Sequence, residues 1–370
     1  MKKVFRKSVS LVVAVCMMLT ITTNMFVSEA KADSGAEIVL FVSANGALDD
    51  GACNSACWAG VKEYCEQNGV TYNYYQPTED TVEAHLAQCD VAVAAGAKVI
   101  ILYSDQFRLS SAYMEQNYPD VKFMVFDTVP TDEENGEIVN DNVKAYTYAD
   151  EQSSFLAGYA AVKDGYTKLG FCGGQAVPAV VRFGYGYLDG INKACEDLGI
   201  DSVDVLYTYF GNFEASAANQ TLAASWYESG VETIFAAAGA AGAAVFAAAE
   251  ATENGTVIGV DADQSDESDR VISSAMKDIK NVTINELTAV EEGTWEGGNI
   301  VRLTASDHAV ALPMENSKWV NFTQEDYDNI YEQLENDVDG IASGIPNDTT
   351  ADSPEELIDQ WPHINLQYVE

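Results

Sequence analysis

Positive charge is scarce in this chain. Its 370 residues include 19 Lys and Arg against 58 Asp and Glu, a formal net charge of −39. A surface of that sign repels phosphate backbones, which excludes nucleic acid as a partner. The acids are spread along the chain, so most of them read as solvated surface. Histidine is nearly absent: His85, His308 and His363 are the whole set, and none follows an obvious strand. With no Gly-x-Ser-x-Gly elbow and no Gly-Lys-Ser/Thr phosphate loop, a nucleophilic triad and a nucleotide-cleaving site both lack their signatures. Cysteine is sparse. Cys53 and Cys57 have no His or second Cys pair at zinc spacing, so neither a metal nor another cofactor is expected. They read as small buried residues on a helix, with a Cys53–Cys57 or Cys57–Cys65 disulfide as the alternative in an exported chain.

Long apolar runs are also few. Lys2, Lys3, Arg6 and Lys7 precede a short one, Leu11 to Leu19, and Ala30-Lys31-Ala32 has the small-residue pattern of a cleavage site. Residues 1–32 therefore read as a secretory signal peptide, and the chain as exported. A retained anchor needs a longer run. Lipidation at Cys16 is disfavoured by Val15 before it and Met17-Met18-Leu19 after it. Loss of this leader removes five basic residues and one acid, which moves the net charge to −43. The second run, Val231 to Ala251, is mostly alanine and is bracketed by Glu232 and Glu250. It reads as a strand, a glycine turn at Gly239 to Gly242 and a helix, not a membrane span.

What is present is alternation. Short apolar runs at 37–42, 70–75, 99–103 and 121–126 are separated by helical patterns. The same alternation repeats at 168–172, 202–207, 232–236 and 256–260. Such a pattern specifies α/β architecture with parallel sheets covered by helices. Two successive doubly wound units imply two lobes: lobe 1 at 33–149, completed by about 270–300, and lobe 2 at 150–269, completed by part of about 301–345. A C-terminal tail is expected at 346–370, and Trp319 to Phe322 as an added strand.

Carboxylates recur beyond the strands, at Asp49/Asp50, Asp127, Asp261 and Asp263. Open α/β sheets bind ligands at the carboxyl ends of their strands. Ionised carboxylates only accept hydrogen bonds, so they suit a ligand rich in hydroxyl or N–H donors. Each acid alone reads as a helix cap or turn residue; their shared position points to a site. Trp58, Phe183, Tyr185 and Phe235 are aromatics near that cleft, where a ring could stack on a flat heterocycle. Two carboxylates would also serve a secreted acidic glycosidase, given the right separation.

Several motifs taken together resemble the basic membrane protein family, PnrA type, the nucleoside-binding components of ABC importers. They are Leu48-Asp-Asp-Gly-Ala-Cys-Asn54 through Trp58-Ala-Gly60, Tyr118-Pro-Asp-Val-Lys-Phe123 through Asp127, and Ser154-Phe-Leu-Ala-Gly-Tyr159. Gly170-Phe-Cys-Gly-Gly174 and Arg182-Phe-Gly-Tyr-Gly186 follow. The most specific are Ala237-Ala-Gly239 to Gly242, and Gly259-Val-Asp-Ala-Asp-Gln264 with Ser273-Ser-Ala-Met-Lys277. The resemblance implies a type I periplasmic-binding-protein fold, two lobes joined by a three-crossover hinge. It implies a nucleoside, a purine nucleoside in the narrower reading, held between the lobes by a monomeric, non-enzymatic receptor that delivers to an ABC permease. Asp127, Asp261 and Lys277 would serve the ribose hydroxyls and Asp50 and Asn54 the base edge. Trp58 and Phe235 would sandwich the ring, and Gly239 and Gly242 would allow close backbone approach. On this reading Ser273 to Lys277 re-enters lobe 1, so that Asp261 and Lys277 face each other across the cleft. Cys53 and Tyr103-Ser-Asp105-Gln106-Phe107 depart from the family pattern, and the family's lipid-bearing cysteine is missing. A sugar or autoinducer receptor of the same fold is the alternative binding protein.

Overall fold

A computed structural model describes residues 36–369; the leader expected at 1–32, with Cys16, lies outside the described residues. The chain begins as β1 (Ile38–Phe41), α1 (Cys53–Asn68), β2 (Tyr72–Tyr75), α2 (Val82–Ala94), β3 (Val99–Tyr103), α3 (Arg108–Asn117) and β4 (Lys122–Phe126). A two-stranded hairpin, β5 (Thr131–Asp132) and β6 (Gly136–Glu137), leads to β7 (Val143–Tyr148). Then follow α4 (Asp150–Asp164), β8 (Lys168–Gly173), α5 (Pro178–Leu198), β9 (Val203–Tyr209) and α6 (Ala217–Glu228). The alternation continues with β10 (Thr233–Ala237), α7 (Gly242–Glu250), β11 (Thr256–Asp261) and β12 (Val271–Lys277). The last part holds α8 (Ile279–Glu292), β13 (Asn299–Leu303), β14 (Val310–Ala311), α9 (Gln324–Glu335) and β15 (Ile364–Tyr368).

Two large sheets result. The first has the order β13-β7-β4-β3-β1-β2, the second β14-β12-β11-β10-β8-β9-β15. All pairings within them are parallel except β14 on β12. Each contains the doubly wound order 2-1-3-4-5 in its own strands, whose ligand crevice lies where the order reverses, beside the first strand. This is the architecture expected of the α/β pattern.

The strand sequences explain the layering. All four residues of β1 are buried. Ile38 and Leu40 point to the side that also buries Cys57 and Val61 of α1, while Val39 and Phe41 pack with Cys89 of α2 and Met114 of α3. A strand covered on both faces needs an unbroken apolar run, and these strands supply it. Helix starts are marked by polar caps: the Thr81 hydroxyl accepts from the Ala84 amide, and Asp278 caps α8 through the Asn281 amide. Helices α4 and α5 approach closely, because a Cβ at Gly186 would lie 2.0 Å from the Glu151 carbonyl and one at Gly190 would lie 2.0 Å from that of Phe155. Only glycine allows the two backbones that near.

Three details differ from the sequence reading. First, β12 does not return to the first sheet. It pairs parallel with β11, Asp261 opposite Met276, because Val271, Ile272 and Ala275 continue the buried pattern of that sheet. The chain passes from the first sheet to the second after Tyr148, back after Lys277, and to the second again after Leu303. Second, residues 346–370 do not form a tail. Their β15 adds parallel to β9 as the edge strand of the second sheet, with Trp361 fully buried. Third, Trp319 to Phe322 form an irregular bend, not a strand; their backbone amides at 320, 321 and 322 donate to the Asp164 carboxylate instead of a ladder. The alanine-rich run is strand, short turn and helix, as its glycines imply, and no described helix is long and apolar enough to cross a membrane.

Candidate functional site

The two sheets meet at a cavity of about 230 Å³. Its walls come from the carboxyl ends of strands in both: Ser43 and Asn45 to Ala47 after β1, Ser104 to Gln106 after β3, Gln175 and Val177 after β8, and Asn212 to Glu214 after β9. Asp127, Ala237, Gly239, Ala240, Val260, Asp261 and Lys277 stand at the ends of β4, β10, β11 and β12. This is where doubly wound sheets place a ligand.

Its charged end is built around Lys277. The ammonium Nζ lies 2.6 Å from Asp127 Oδ2, 2.9 Å from Asp261 Oδ1 and 3.3 Å from Asp150 Oδ1. Asp127 and Asp261 both have positive φ, 61° and 66°. Aspartate is among the few residues that tolerate that region, and strain of this kind concentrates at functional sites. Burial alone would depress the Lys277 ammonium; Asp127, Asp150 and Asp261 outweigh it and hold the pKa well above the usual lysine value. Burial, with the charges of Asp127 and Asp150, raises Asp261 to about 6 against the pull of Lys277. Asp150 is raised for the same leading reason, burial, against Lys277 and Arg182. Three carboxylates on one lysine leave acceptor capacity over. The Asp127 Oδ1 atom is buried with no hydrogen-bond partner, as are Asn54 Oδ1 and Tyr103 Oη. Such atoms cost free energy until a donor reaches them.

The structure brings Asp50, Asn54, Asp127, Gly239, Asp261 and Lys277 onto one cavity. Asp50 has a second task there. Its Oδ1 accepts from the amides of Ala52 and Ser55 at 2.9 and 3.0 Å, and its Oδ2 from the amide and side-chain Nδ2 of Asn54 at 3.1 and 2.9 Å. It caps α1 and orients Asn54, whose carbonyl oxygen then faces the cavity unpaired. Cys53 lines the same wall; burial, followed by the charge of Asp50, pushes its thiol well up, so it stays protonated.

Three residues expected at the site lie elsewhere. Trp58 does not line the cavity; its ring packs 5.4 Å from Tyr72 and 5.6 Å from Tyr74 on the edge strand β2. Phe235 is fully buried behind the wall, in contact with the rings of Phe171, Phe183 and Tyr187. A strand residue whose side chain points into the sheet's own helix layer cannot reach a ligand beyond the strand end. Gly242 begins α7, one turn past the cavity edge. Gly239, with φ 51°, is on the wall and places its backbone beside Phe213.

The aromatic surfaces actually on the cavity are Tyr103, Phe183 and Phe213, and the Lys277 ammonium lies 5.2 Å from the Phe183 ring centre. Phe183 was legible as a cleft aromatic; Phe213, two residues after Gly211 in the turn following β9, has only that strand-end position as a signal. Sequence reasoning also gave no role to Asp150 and Arg182. Asp150 opens α4 immediately after the first passage between sheets, and the Arg182 Nε donates to its Oδ2 at 2.8 Å. No described group of His, Cys, Asp and Glu is arranged to hold a metal ion, and Cys53, Cys57, Cys65, Cys89, Cys172 and Cys195 are all free thiols.

Comparisons agree with this geometry. Residues 37–343 match the family model for the ABC transporter substrate-binding protein PnrA-like, Bmp. The ABC transporter nucleoside-binding protein BmpA of Lactococcus lactis subsp. cremoris is 28% identical over 311 residues, covering 78% of this chain and 84% of that protein. Basic membrane protein A1 of Borrelia garinii subsp. bavariensis is 28% identical over 309 residues, 82% of this chain and 84% of its own length. Among solved structures, an ABC transporter solute-binding protein from Aeropyrum pernix K1 superimposes with a TM-score of 0.73 at 21% identity, covering 88% of this chain and 97% of that one. That likeness is one of fold: the type I periplasmic-binding kind. The family is one of transport receptors, not of enzymes. The chain belongs to the PnrA-like, or Bmp, family of ABC transporter substrate-binding proteins.

Proposed function

We propose that this protein is an exported receptor that captures a nucleoside in the cavity between its two lobes and delivers it to an ABC permease. The observation that carries the reading is the Asp127–Lys277–Asp261 arrangement, in which two buried carboxylates on the cavity share one ammonium and Asp127 Oδ1 is left without a partner. A vicinal diol such as that of ribose offers two O–H donors. Each would make a charge-assisted bond in a dry cleft, the strong kind. Lys277 would donate to a hydroxyl or ring oxygen. Tyr103, Phe183 and Phe213 offer flat apolar surface for a base, and Asn54, Gln106, Gln175 and Asn212 offer amides for its edge. Rings beside an acidic cluster fit a nucleoside better than a monosaccharide. The name of the Lactococcus relative points the same way.

Closure follows from the connections. The chain passes between the sheets beside Asp150, Lys277 and Leu303, so two of the three passages touch the charged cluster. Ligand bridging that cluster would favour the closed arrangement of the lobes, which a permease can read.

The test is thermal stabilisation against nucleosides, free bases and monosaccharides. A ligand at a hundred times its dissociation constant adds about 2.7 kcal/mol of stability. The expected result is a response to one or more nucleosides and none to free ribose or free base at equal concentration. Stabilisation by sugars alone would overturn the reading in favour of a sugar receptor.

A further inference from the structure

The family match ends at residue 343, yet residues 345–369 are built into the second sheet and its helix α5. One stripe of α5 receives them. Arg182, Tyr185, Asp189 and Asn192 recur at helical spacing, on a face different from the Ala179, Val180 and Phe183 that line the cavity. The Arg182 Nη1 donates to Asp348 Oδ1 at 3.0 Å, and the Tyr185 hydroxyl donates to the Ala351 carbonyl at 3.0 Å. The Trp361 indole Nε1 donates to Asp189 Oδ1 at 2.9 Å, and the His363 amide to Asn192 Oδ1 at 3.1 Å. Beyond them β15 pairs along the whole of its length with β9.

One of these contacts leads to the ligand cluster. Arg182 is a fork with one prong on Asp348 and the other, through Nε, 2.8 Å from Asp150 Oδ2; the far oxygen of Asp150 is 3.3 Å from the Lys277 ammonium. The remaining Arg182 nitrogen, Nη2, is buried with no hydrogen-bond partner, so Asp348 and Asp150 are what orient the guanidinium. We propose that the C-terminal segment is a strap that sets the ligand site, with Asp348 as a positioning residue acting through Arg182 and Asp150 on Lys277. This rests on the nucleoside reading of the Lys277 cluster and extends it to a residue that never touches ligand.

Asp348 and Asp150 compete for one cation. With Asp348 in place, the guanidinium is divided between two carboxylates. Asp150 is then only partly neutralised and keeps one oxygen on Lys277. Without Asp348 the guanidinium is free to turn wholly onto Asp150. Lys277 then loses that partner and settles closer to Asp127 and Asp261, which are left less open to ligand hydroxyls.

The experiment compares Asp348→Asn, Asp348→Glu, Arg182→Lys and, as a control on the same strap, Asp352→Asn at an exposed position. Two quantities are read: dissociation constants for adenosine, guanosine, inosine, cytidine and uridine, and the titration midpoint of the Asp261 carboxyl carbon by NMR in the ligand-free protein. Groups in one charged network couple, so Asp348→Asn and Arg182→Lys are expected to weaken nucleoside binding about tenfold. Asp348→Asn should also move the Asp261 midpoint down from about 6, because a better-neutralised Asp150 repels its charge less. Asp348→Glu should restore both and Asp352→Asn should change neither. Wild-type affinity and midpoint in Asp348→Asn, or equal shifts in the Asp352→Asn control, overturn the proposal. If the unaltered protein binds no nucleoside, the proposed function fails on that result alone, and the Asp261 midpoint decides the strap separately.

Discussion

Asp50 follows β1 and Asp261 ends β11; both line the cavity, and both come from acidic segments, Asp49-Asp50 and Asp261-Ala-Asp263. Their oxygens are occupied differently. Asp50 receives the amides of Ala52, Asn54 and Ser55 and the side chain of Asn54, so the helix saturates it. Asp261 is buried, shares Lys277 with two other acids, and has a pKa of about 6. An acid satisfied by its own helix builds the wall; an acid under-compensated by its surroundings is kept for a partner from outside. The difference lies in the neighbours, not in the residue type.

The largest effect on that contrast is expected from removing the lysine. Lys277→Met leaves Asp127, Asp150 and Asp261 buried together without their common cation, and breaking a buried charge set of this kind costs about 3–5 kcal/mol. Chemical denaturation at neutral pH should show that loss, and the gap to the unaltered protein should narrow in acid as the carboxylates take up protons. No narrowing would mean the cluster is not what Lys277 balances.

Next comes the exchange of the two acids for amides. Asp261→Asn should weaken nucleoside binding by about 1.5–3 kcal/mol, the worth of a charged hydrogen bond, with little loss of stability. Asp50→Asn should do the reverse: about 1 kcal/mol of stability lost with the helix cap, and affinity close to unchanged. Calorimetric titration beside denaturant unfolding separates the two; equal losses of affinity would erase the distinction between them.

The fold was largely legible because it depends on apolar runs and their spacing, which the sequence displays directly. The site was legible only where the chain itself does the placing. Asp261 and Lys277 end strands and Asp127 directly follows one, so their position followed from the strands. Trp58 and Phe235 were misplaced because a ring's use depends on which side of its element it leaves, and one residue of strand register decides that for Phe235. Lys277 was assigned to the wrong sheet because β12 is continuous with β11's sheet through pairing, not through any local signal. Arg182 and Asp348 are 166 residues apart, and nothing short-range links them.

A smaller effect is expected from pH. In the native state the Asp261 pKa is raised to about 6, so the folded protein holds that proton more tightly than the unfolded chain does. Its contribution to stability is therefore present in acid and lost as pH rises from the ordinary carboxylate range through about 6. Ligand binding runs the other way: hydroxyl donors need the ionised form, so nucleoside affinity should fall as pH drops below about 6, by at most about tenfold per unit for one proton. An affinity flat from pH 7.5 to 5 would remove Asp261 from the ligand.

The smallest expected effects concern the rings. Phe183→Leu should weaken binding by about 0.5–1.5 kcal/mol through lost stacking. Phe235→Leu should cost about 1 kcal/mol of stability by imperfect repacking while leaving affinity unchanged. If the two variants exchange roles in titration, the base lies deeper than the cavity wall.

The edge strand β15 has a consequence for how the molecule comes into being. Thr208 and Val369 are joined across 161 positions of chain, and β13 joins β7 from a comparable distance. Neither sheet can be finished from a contiguous piece of sequence. During synthesis, β9 waits with an open edge until residues 364–368 are free to pair with it. Contacts this distant form slowly, because the intervening chain must be closed into a loop before they yield any stabilisation. The nascent protein thus passes a long interval with an exposed strand edge, the state in which chains of this architecture are most open to mispairing or to a guarding chaperone.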